Sequence, residues 1–374
     1  MSFFAKAVLC LLLLLPLGGC WSEIDPDQIT VVSAIGLDPA ENGNIAVTVQ
    51  LMNPTLPIAA GGGNQQRRPF AIYSANGKTI QDAVELIQLA AKKSLFFPQT
   101  QVVLIGETLA RRGLDDYLDF FWREENQNFN SWTLVSRLPA KQMLENASEL
   151  KAVPAEEWKA FLRGKWGRPQ NVAMQMYQFL PRLNQVGFQA VSAGIGPAPN
   201  PSKKGLMEIG DAAVFRNDRM VGWLTEDESQ IVNWLAGTSS KGRFLIVADG
   251  EAASMAMSSI RVRVFPVFRE DRILFKIRLK GAAELKTSTM PINLAKDRGK
   301  LKKLLDEQLT EAIEKTVDKT FKTYKSDIFG FGEVIHRRHP GKWRTLKPQW
   351  NEQLESVEAE IEVSFRIERA GLLK

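Results

Sequence analysis

The sequence predicts an α+β protein of two or three small mixed domains, with antiparallel or mixed sheets packed against helices. Three observations predict it. Short β-rich runs alternate with amphipathic helical runs through the first half. The second half restarts on strands in which apolar and charged residues alternate with a period of two. A long helical pattern then precedes one last alternating strand. The C-terminal domain is therefore expected as a long amphipathic helix on an antiparallel sheet.

Taken in order, Ile29 to Leu37 is β-rich, and Asn42-Gly43 is a hairpin signal before the alternating run Ile45, Val47, Val49 and Leu51. Residues 53–69 read as a Pro/Gly/Gln/Arg loop. Phe70 to Ala75 is a short strand. Thr79 to Lys93 is a helix with Ile80, Val84, Ile87 and Ala91 on one face, and Thr79 with Asp82 forms a capping box. Thr100 to Gly106 is a buried strand, Gly113 to Glu125 a helix, and Ser131 to Leu138 another strand. Helical patches follow at 139–149, 155–164 and 170–185. Gly194 to Gly205, with Pro197, Pro199 and Pro201, reads as the linker between the halves.

In the second half, Ile209 to Arg216 and Arg219 to Leu224 flank the two-residue turn Asn217-Asp218. Thr225 and Glu228 form a second capping box, opening a helix to about Leu235. Ile260, Val262 and Val264 alternate with Arg261 and Arg263; Ile273, Phe275, Ile277 and Leu279 alternate with Lys276, Arg278 and Lys280. The long helix, from about Leu294 to Lys325, carries the stripe Leu301, Leu305, Leu309, Ile313, Val317, Phe321 and Tyr324. The last strand sets Val357 to Ile367 against an outer row of Glu358, Glu360, Glu362, Ser364 and Arg366. Opposite charges on neighbouring strands attract. The acidic strand is therefore expected beside at least one basic strand, with the long helix on the opposite, apolar face.

The chain has 374 residues, a formal net charge of +6, 44% hydrophobic and 24% charged residues. These proportions belong to a folded protein and exclude a disordered or collagen-like one. Cys10 and Cys20 are its two cysteines, which excludes a disulfide scaffold. Residues 1–19 have the layout of a signal peptide: Lys6, an apolar run from Ala7 to Leu17, then Gly18 and Gly19. Leu17-Gly18-Gly19-Cys20 resembles a bacterial lipobox, so Cys20 is the expected site of a diacylglycerol anchor, with incidental placement after an ordinary cleavage site as the alternative. No other segment is expected to span a membrane. Some eight residues separate Cys20 from the first strand, at most ~30 Å of extended chain, so the body is expected close to the membrane surface. The expected organisation is a signal peptide (1–19), an N-terminal domain (20–193), a linker (194–205) and a C-terminal domain (206–374).

Few residues suggest chemistry. Gly77-Lys78-Thr79 is half a phosphate loop, but Ile72 stands where the loop needs its first glycine, and helix capping explains Thr79. His336 and His339 are the two histidines, with Arg337 and Arg338 between them and no third ligand, which disfavours a metal. With Lys342, Arg344 and Lys347 they form a basic cluster, read as a solvated loop or as a contact for anionic headgroups or an acidic partner. Trp21 is placed at headgroup level beside Cys20. Phe329 and Phe331 in SDIFGFG read as core plugs, or as a partner-facing turn. No hydrolase or paired-cysteine zinc motif is present in the sequence. The expectation is a protein without enzymatic activity, metal or cofactor, and with no nucleic-acid partner.

The stretch CWSEIDPDQITVVSAIGLD from Cys20 resembles the mature start of the Ger(x)C family, the C-subunit lipoproteins of spore nutrient-germinant receptors. Segments 77–124 and 210–237, the SDIFGFGEVIHRRHP run and the Trp343 region resemble further blocks of that family, in the same order. Pro98-Gln99 stands where many members carry Gly-His, and Ser22 where many carry Asp, so no role attached to that histidine transfers. The resemblance implies a fold of several small mixed α/β domains. It implies lipidation at Cys20 and an accessory or scaffolding role beside two multi-pass subunits, A and B. It also implies a place on the outer face of the spore inner membrane, where small nutrients trigger germination. It carries over no catalytic residue. The alternative of a different class is a lipid-anchored solute-binding protein of a transporter, which the helix-poor second half argues against.

Overall fold

The computed structural model describes residues 26–52, 69–123, 127–145, 153–163, 171–197, 207–269, 272–291 and 294–368. The expected leader, Cys20 and Trp21 lie outside the described residues, as does most of the 53–69 loop.

The first sheet has ten strands. Its centre is parallel: β1 (Ile29–Pro39), β5 (Val102–Gly106), β6 (Trp132–Ser136) and β8 (Val191–Pro197) lie side by side. Parallel strands covered on both faces need continuous apolar runs, and every residue of Val102–Gly106 is buried. Antiparallel strands complete both flanks. β2 (Ile45–Met52) and β3 (Phe70–Gly77) follow β1, while β9 (Met207–Arg216) and β10 (Arg219–Leu224) follow β8. The short β4 (Ser94–Phe96) pairs with β1, and β7 (Met174–Gln175) with β6.

Local signals set the helices on this sheet. α1 (Ile80–Ala91) starts at the expected capping box: the Asp82 N–H donates to Thr79 Oγ1 at 3.1 Å and the Thr79 N–H to Asp82 Oδ2 at 3.0 Å. The helix expected from Gly113 to Glu125 is present as Asp115–Arg123, and a further short helix, not expected, precedes it. α2 (Glu107–Arg112) ends at Gly113, whose φ of +126° leaves the helical region, and α3 (Asp115–Arg123) follows. The Leu114 N–H at the break donates to Asp218 Oδ2 at 3.2 Å, a partner far off in sequence. α4 (Ala140–Glu145) and α5 (Pro154–Leu162) are the described parts of the first two helical patches; in the third, helix is confined to α6 (Met176–Leu183), because Met174–Gln175 pairs as a strand with β6. Asp38 of β1 caps α4, accepting the Ala140 and Lys141 N–H groups at 2.8 and 3.0 Å. Burial pushes its carboxyl above the usual range against those bonds.

The segment expected as a linker begins inside a strand. Gly194 to Pro197 belong to β8, and residues 198–206 lie outside the described residues. β8 and β9 are antiparallel neighbours, from Val191 opposite Val214 to Pro197 opposite Met207. Proline suits the end of a strand, where the ladder asks little of its missing N–H. The proline-rich segment thus adjoins a ladder within one sheet.

The second sheet is ordered β11 (Gly242–Ala248), β12 (Glu251–Arg269), β13 (Arg272–Ser288), β14 (Glu358–Glu368), after α7 (Glu226–Leu235), which starts at the Thr225–Glu228 capping box. β11 was not read from the sequence. Its edge is covered by Gln308, which donates to the Val247 carbonyl at 2.7 Å and accepts its N–H at 3.1 Å. The expectation of an antiparallel sheet holds for β11–β13 only, because β14 runs parallel to β13. A chain that crosses the sheet through a long helix re-enters in the same sense. The expected charge pairing is present: Arg272–Glu358 at 2.6 Å, Lys276–Glu360 at 3.2 Å and Arg278–Glu362 at 2.8 Å.

The crossover helix, α8 (Leu294–Asp318), buries Leu301, Leu305, Leu309, Ile313 and Val317 against that sheet. It ends in a π-helical turn, Lys319–Thr323, that buries Phe321. α9 (Phe331–Arg338) and α10 (Pro340–Leu346) follow. The cluster HRRH, read as a loop, is the end of α9 and its C-cap. One core runs through both sheets, and a second, around Leu104, Leu134, Leu144 and Trp158, fills the other face of the first.

The halves approach closely at Gly187 and Gly332. A Cβ on Gly332 would lie 2.5 Å from the Gly187 Cα and 2.6 Å from Trp343. Gly332→Ala is expected to cost about 1–3 kcal/mol in chemical denaturation, because backbone rather than a flexible side chain blocks it. Gly210→Ala, with nothing within 4 Å, is expected to stay within about 0.5 kcal/mol of the parent.

Candidate interaction surface

Asp327 positions the basic cluster. It is fully buried at the turn after the π-helical segment. Its Oδ1 accepts the Gly330 and Phe331 N–H groups at 2.9 and 3.0 Å, and its Oδ2 accepts the Gly332 N–H at 2.7 Å and Trp350 Nε1–H at 3.0 Å. Gly330, at φ +76°, is the N-cap of α9. One carboxylate therefore satisfies the first donors of that helix and also draws in Trp350. Burial pushes the Asp327 carboxyl up to about 6, against the four donors that favour its ionised form. Phe329 and Phe331 pack with Phe321 and, through Phe331, with Phe275. They are core plugs, as expected.

The structure brings much of the cluster against the Phe265–Phe268 stretch of β12. Arg338 stacks over Phe265 at 4.8 Å, Lys342 over Phe268 at 3.9 Å, and the His339 ring meets Phe268 edge-on at 5.2 Å. Arg337 and Arg338 line a cleft with Arg263 and the 237–240 turn after α7. Arg337, Arg338, Lys342 and Arg344 are all exposed. Trp343, between them, is buried and tilted against His336 at 6.2 Å. The cluster is thus a rigid, helix-borne cationic face backed by aromatic rings. Trp21, expected to act with it, lies outside the described residues. Among the described residues no group of three or more His, Cys, Asp or Glu side chains could hold a metal ion. Thr79 is the N-cap of α1, the role that capping gives it in the sequence.

One surface is not read from the sequence, and for another the sequence gives the two basic rows but not their pairing with each other. Gln28, at the start of the described body, lines a shallow surface with Glu85, Gln88, Leu89, Lys92, Lys93 and Ser94. Leu86 and Leu89 on this part of α1 are 49% and 74% exposed. The signal was available, since Leu86 and Leu89 fall off the apolar stripe of that helix. On the outer face of the second sheet, Arg261 stands opposite Lys280 and Arg263 opposite Arg278. Each such like-charge pair opposes folding by about 0.2–1 kcal/mol.

Residues 22–195 match the family described as spore germination protein N-terminal domain, and residues 210–371 the family described as spore germination B3/GerAC-like, C-terminal. Spore germination protein KC of Bacillus subtilis (strain 168) is 26% identical over 98% of this chain and 95% of its own length. Spore germination protein B3 of the same organism is 22% identical over 99% of both chains. The crystal structure of the GerBC protein superposes with a TM-score of 0.59 at 19% identity, covering 89% of this chain and 96% of that one. That likeness establishes the fold.

Asp327 gives a pH signature. Its folded pKa of about 6 lies above the ordinary 3.8, so the folded protein binds this proton more tightly than the unfolded one. Its contribution to stability is therefore full below about pH 4, declines as pH rises to about 6, and is constant above. The stability gap between the parent and Asp327→Asn is expected to narrow by on the order of 2–3 kcal/mol across that window. Denaturant titrations at pH 4, 5, 6 and 7 measure it. A flat gap would mean that the four donors hold the carboxyl ionised throughout.

Proposed function

The chain belongs to the spore germination GerAC family, and from that premise we propose that it is a non-enzymatic, lipid-anchored subunit of a spore nutrient germinant receptor. In this reading it is an accessory or scaffolding body that docks onto two multi-pass membrane subunits, A-type and B-type. The single observation that carries the proposal is the ordered match of both family regions, which between them reach from residue 22 to residue 371. Relatives named as spore germination proteins align over almost the whole chain. The domain reading, 20–193 and 206–374 after a signal peptide of 1–19, is part of the same proposal.

Cys20 carries the diacylglycerol in this proposal, on the outer face of the spore inner membrane. Between Cys20 and Gln28 the chain can extend at most about 30 Å. The surface beside Gln28, with Leu89, Lys92 and Lys93, then lies nearest the bilayer. Apolar side chains flanked by lysines suit an anionic interface. The cationic face of Arg337, Arg338, Lys342 and Arg344 serves partner or headgroup contact, with Trp21 at headgroup depth. No helix among the described residues is long and apolar enough to cross a membrane, so attachment in this reading falls to the anchor and the partners.

The test is affinity capture of the tagged full chain from detergent-solubilised spore membranes, read by mass spectrometry. Two multi-pass proteins are expected in amounts comparable to the bait. Capture alone, or with a transporter permease and ATPase, would overturn the receptor reading in favour of a solute-binding protein. Cys20→Ala is expected to move most of the chain from the membrane to the soluble fraction; unchanged fractionation would remove the anchor from the proposal.

A further inference from the structure

The outer face of the second sheet changes sign along β14. Arg272, Lys276 and Arg278 of β13 each pair with a glutamate of β14. At the next level Lys280 stands opposite Ser364, and beyond it Ala282 stands opposite Arg366. On the other side Arg261 stands opposite Lys280, and Arg263 opposite Arg278. Arg278 and Arg366 keep ion pairs, to Glu362 and Glu368. Among the described residues, no hydrogen bond or ion pair satisfies Arg261, Arg263 or Lys280.

The backbone aims these cations outward. Ser258 pairs with Ala282 and Arg261 with Lys280, so β12 carries one more residue than β13 across this interval. Ser259 takes up the excess at φ +52°, a left-handed conformation uncommon for serine. The inward series Ala253, Met255 and Met257 resumes as Ile260 and Val264. Without the extra residue, Arg261 and Arg263 would point into the core. Opposite the bulge, Gly281 lets Phe365 approach, since a Cβ there would lie 2.5 Å from its ring. The result is a cleft of about 470 Å³ lined by Ser259, Arg261, Arg263, Arg278, Lys280 and Arg366.

We infer that this cleft binds a multiply charged anion bearing phosphate or carboxylate groups. Guanidinium forks match both groups bidentately, and the volume lies in the range of small-molecule pockets. An anion here relieves the repulsion that the register imposes. A free small anion and an anionic lipid headgroup share this chemistry. The inference does not rest on the receptor reading, because the cleft is defined by β12–β14 alone.

The test is isothermal titration of the purified full chain in non-ionic detergent with two probes. These are inorganic tripolyphosphate and dihexanoyl-phosphatidylglycerol below its micellar concentration. Saturable binding of at least one is expected; tripolyphosphate alone assigns a free anion, the lipid alone a headgroup. Arg261→Ala with Arg263→Ala is expected to weaken binding at least tenfold, and Lys280→Ala on the neighbouring strand at least threefold. Lys303→Ala with Lys315→Ala removes the same charge from the exposed side of α8, outside the cleft, and is expected to change affinity less than twofold. All these side chains are exposed, and an unchanged thermal midpoint checks each variant's fold. Failure of both probes to bind, or equal weakening by both double variants, would overturn the site.

Discussion

The arrangement of the C-terminal half depends on one buried carboxylate. Asp327 has four donors converging on its two oxygens, three from consecutive backbone N–H groups and one from Trp350. Removing a carboxylate from water is costly unless its acceptors are filled, and here each oxygen receives two bonds. The same residue's carbonyl accepts the Gln189 N–H at 2.8 Å, and the adjacent Ser326 hydroxyl donates to the Phe215 carbonyl. The turn thus fixes three things at once: the start of α9, the place of Trp350 in the core, and the distance to the first sheet. The positions of Arg337, Arg338 and Lys342 over β12 follow from it, because α9 and α10 leave this turn with Trp343 packed on Gly187 and Gly332.

The charges of the second sheet divide by register. Where β14 offers Glu358, Glu360 and Glu362, the pairs are exposed and each is worth at most about 1 kcal/mol. Their effect is on specificity. Sliding β14 by two residues in one direction would set Ser364 opposite Arg278 and Arg366 opposite Lys280. Burial of Phe365 and Ile367 against the α8 side fixes the parity. The Asp306 carboxylate of α8 then accepts the Phe365 N–H at 3.0 Å, where the edge strand has no neighbour.

Much of this was legible in the sequence, and the boundary between legible and hidden is physical. The Thr79 and Thr225 capping boxes, the stripe of α8 and the acid row of β14 depend on residues close in sequence, and all appear where periodicity puts them. The direction of β14 did not follow, since a period of two is the same for parallel and antiparallel pairing. The break at Gly113 depends on Asp218, the role of Asp327 on Trp350 and Gln189, and the membership of Gly194–Pro197 in a strand on its neighbours in the sheet. The bulge at Ser259 did leave a trace. Inward positions step by two through Ala253, Met255 and Met257, then by three to Ile260, a slip of phase easily passed over beside the clean alternation of Arg261 to Val264.

The two family regions are not mechanically separate. The second begins at residue 210, within β9, and β9 is hydrogen-bonded to β8 of the first. The join is reinforced across the seam: Trp223 Nε1–H donates to Glu107 at 3.0 Å, and Arg137 pairs with Asp211 and stacks on Trp223 at 4.2 Å. Hinging one region against the other would break a strand ladder and strip a shared core, a far larger cost than bending an exposed linker. A force applied at α1, beside Gln28, is therefore delivered to the second sheet through packed strands. That stiffness fixes how the basic faces of the second sheet and of α9 and α10 are placed relative to α1.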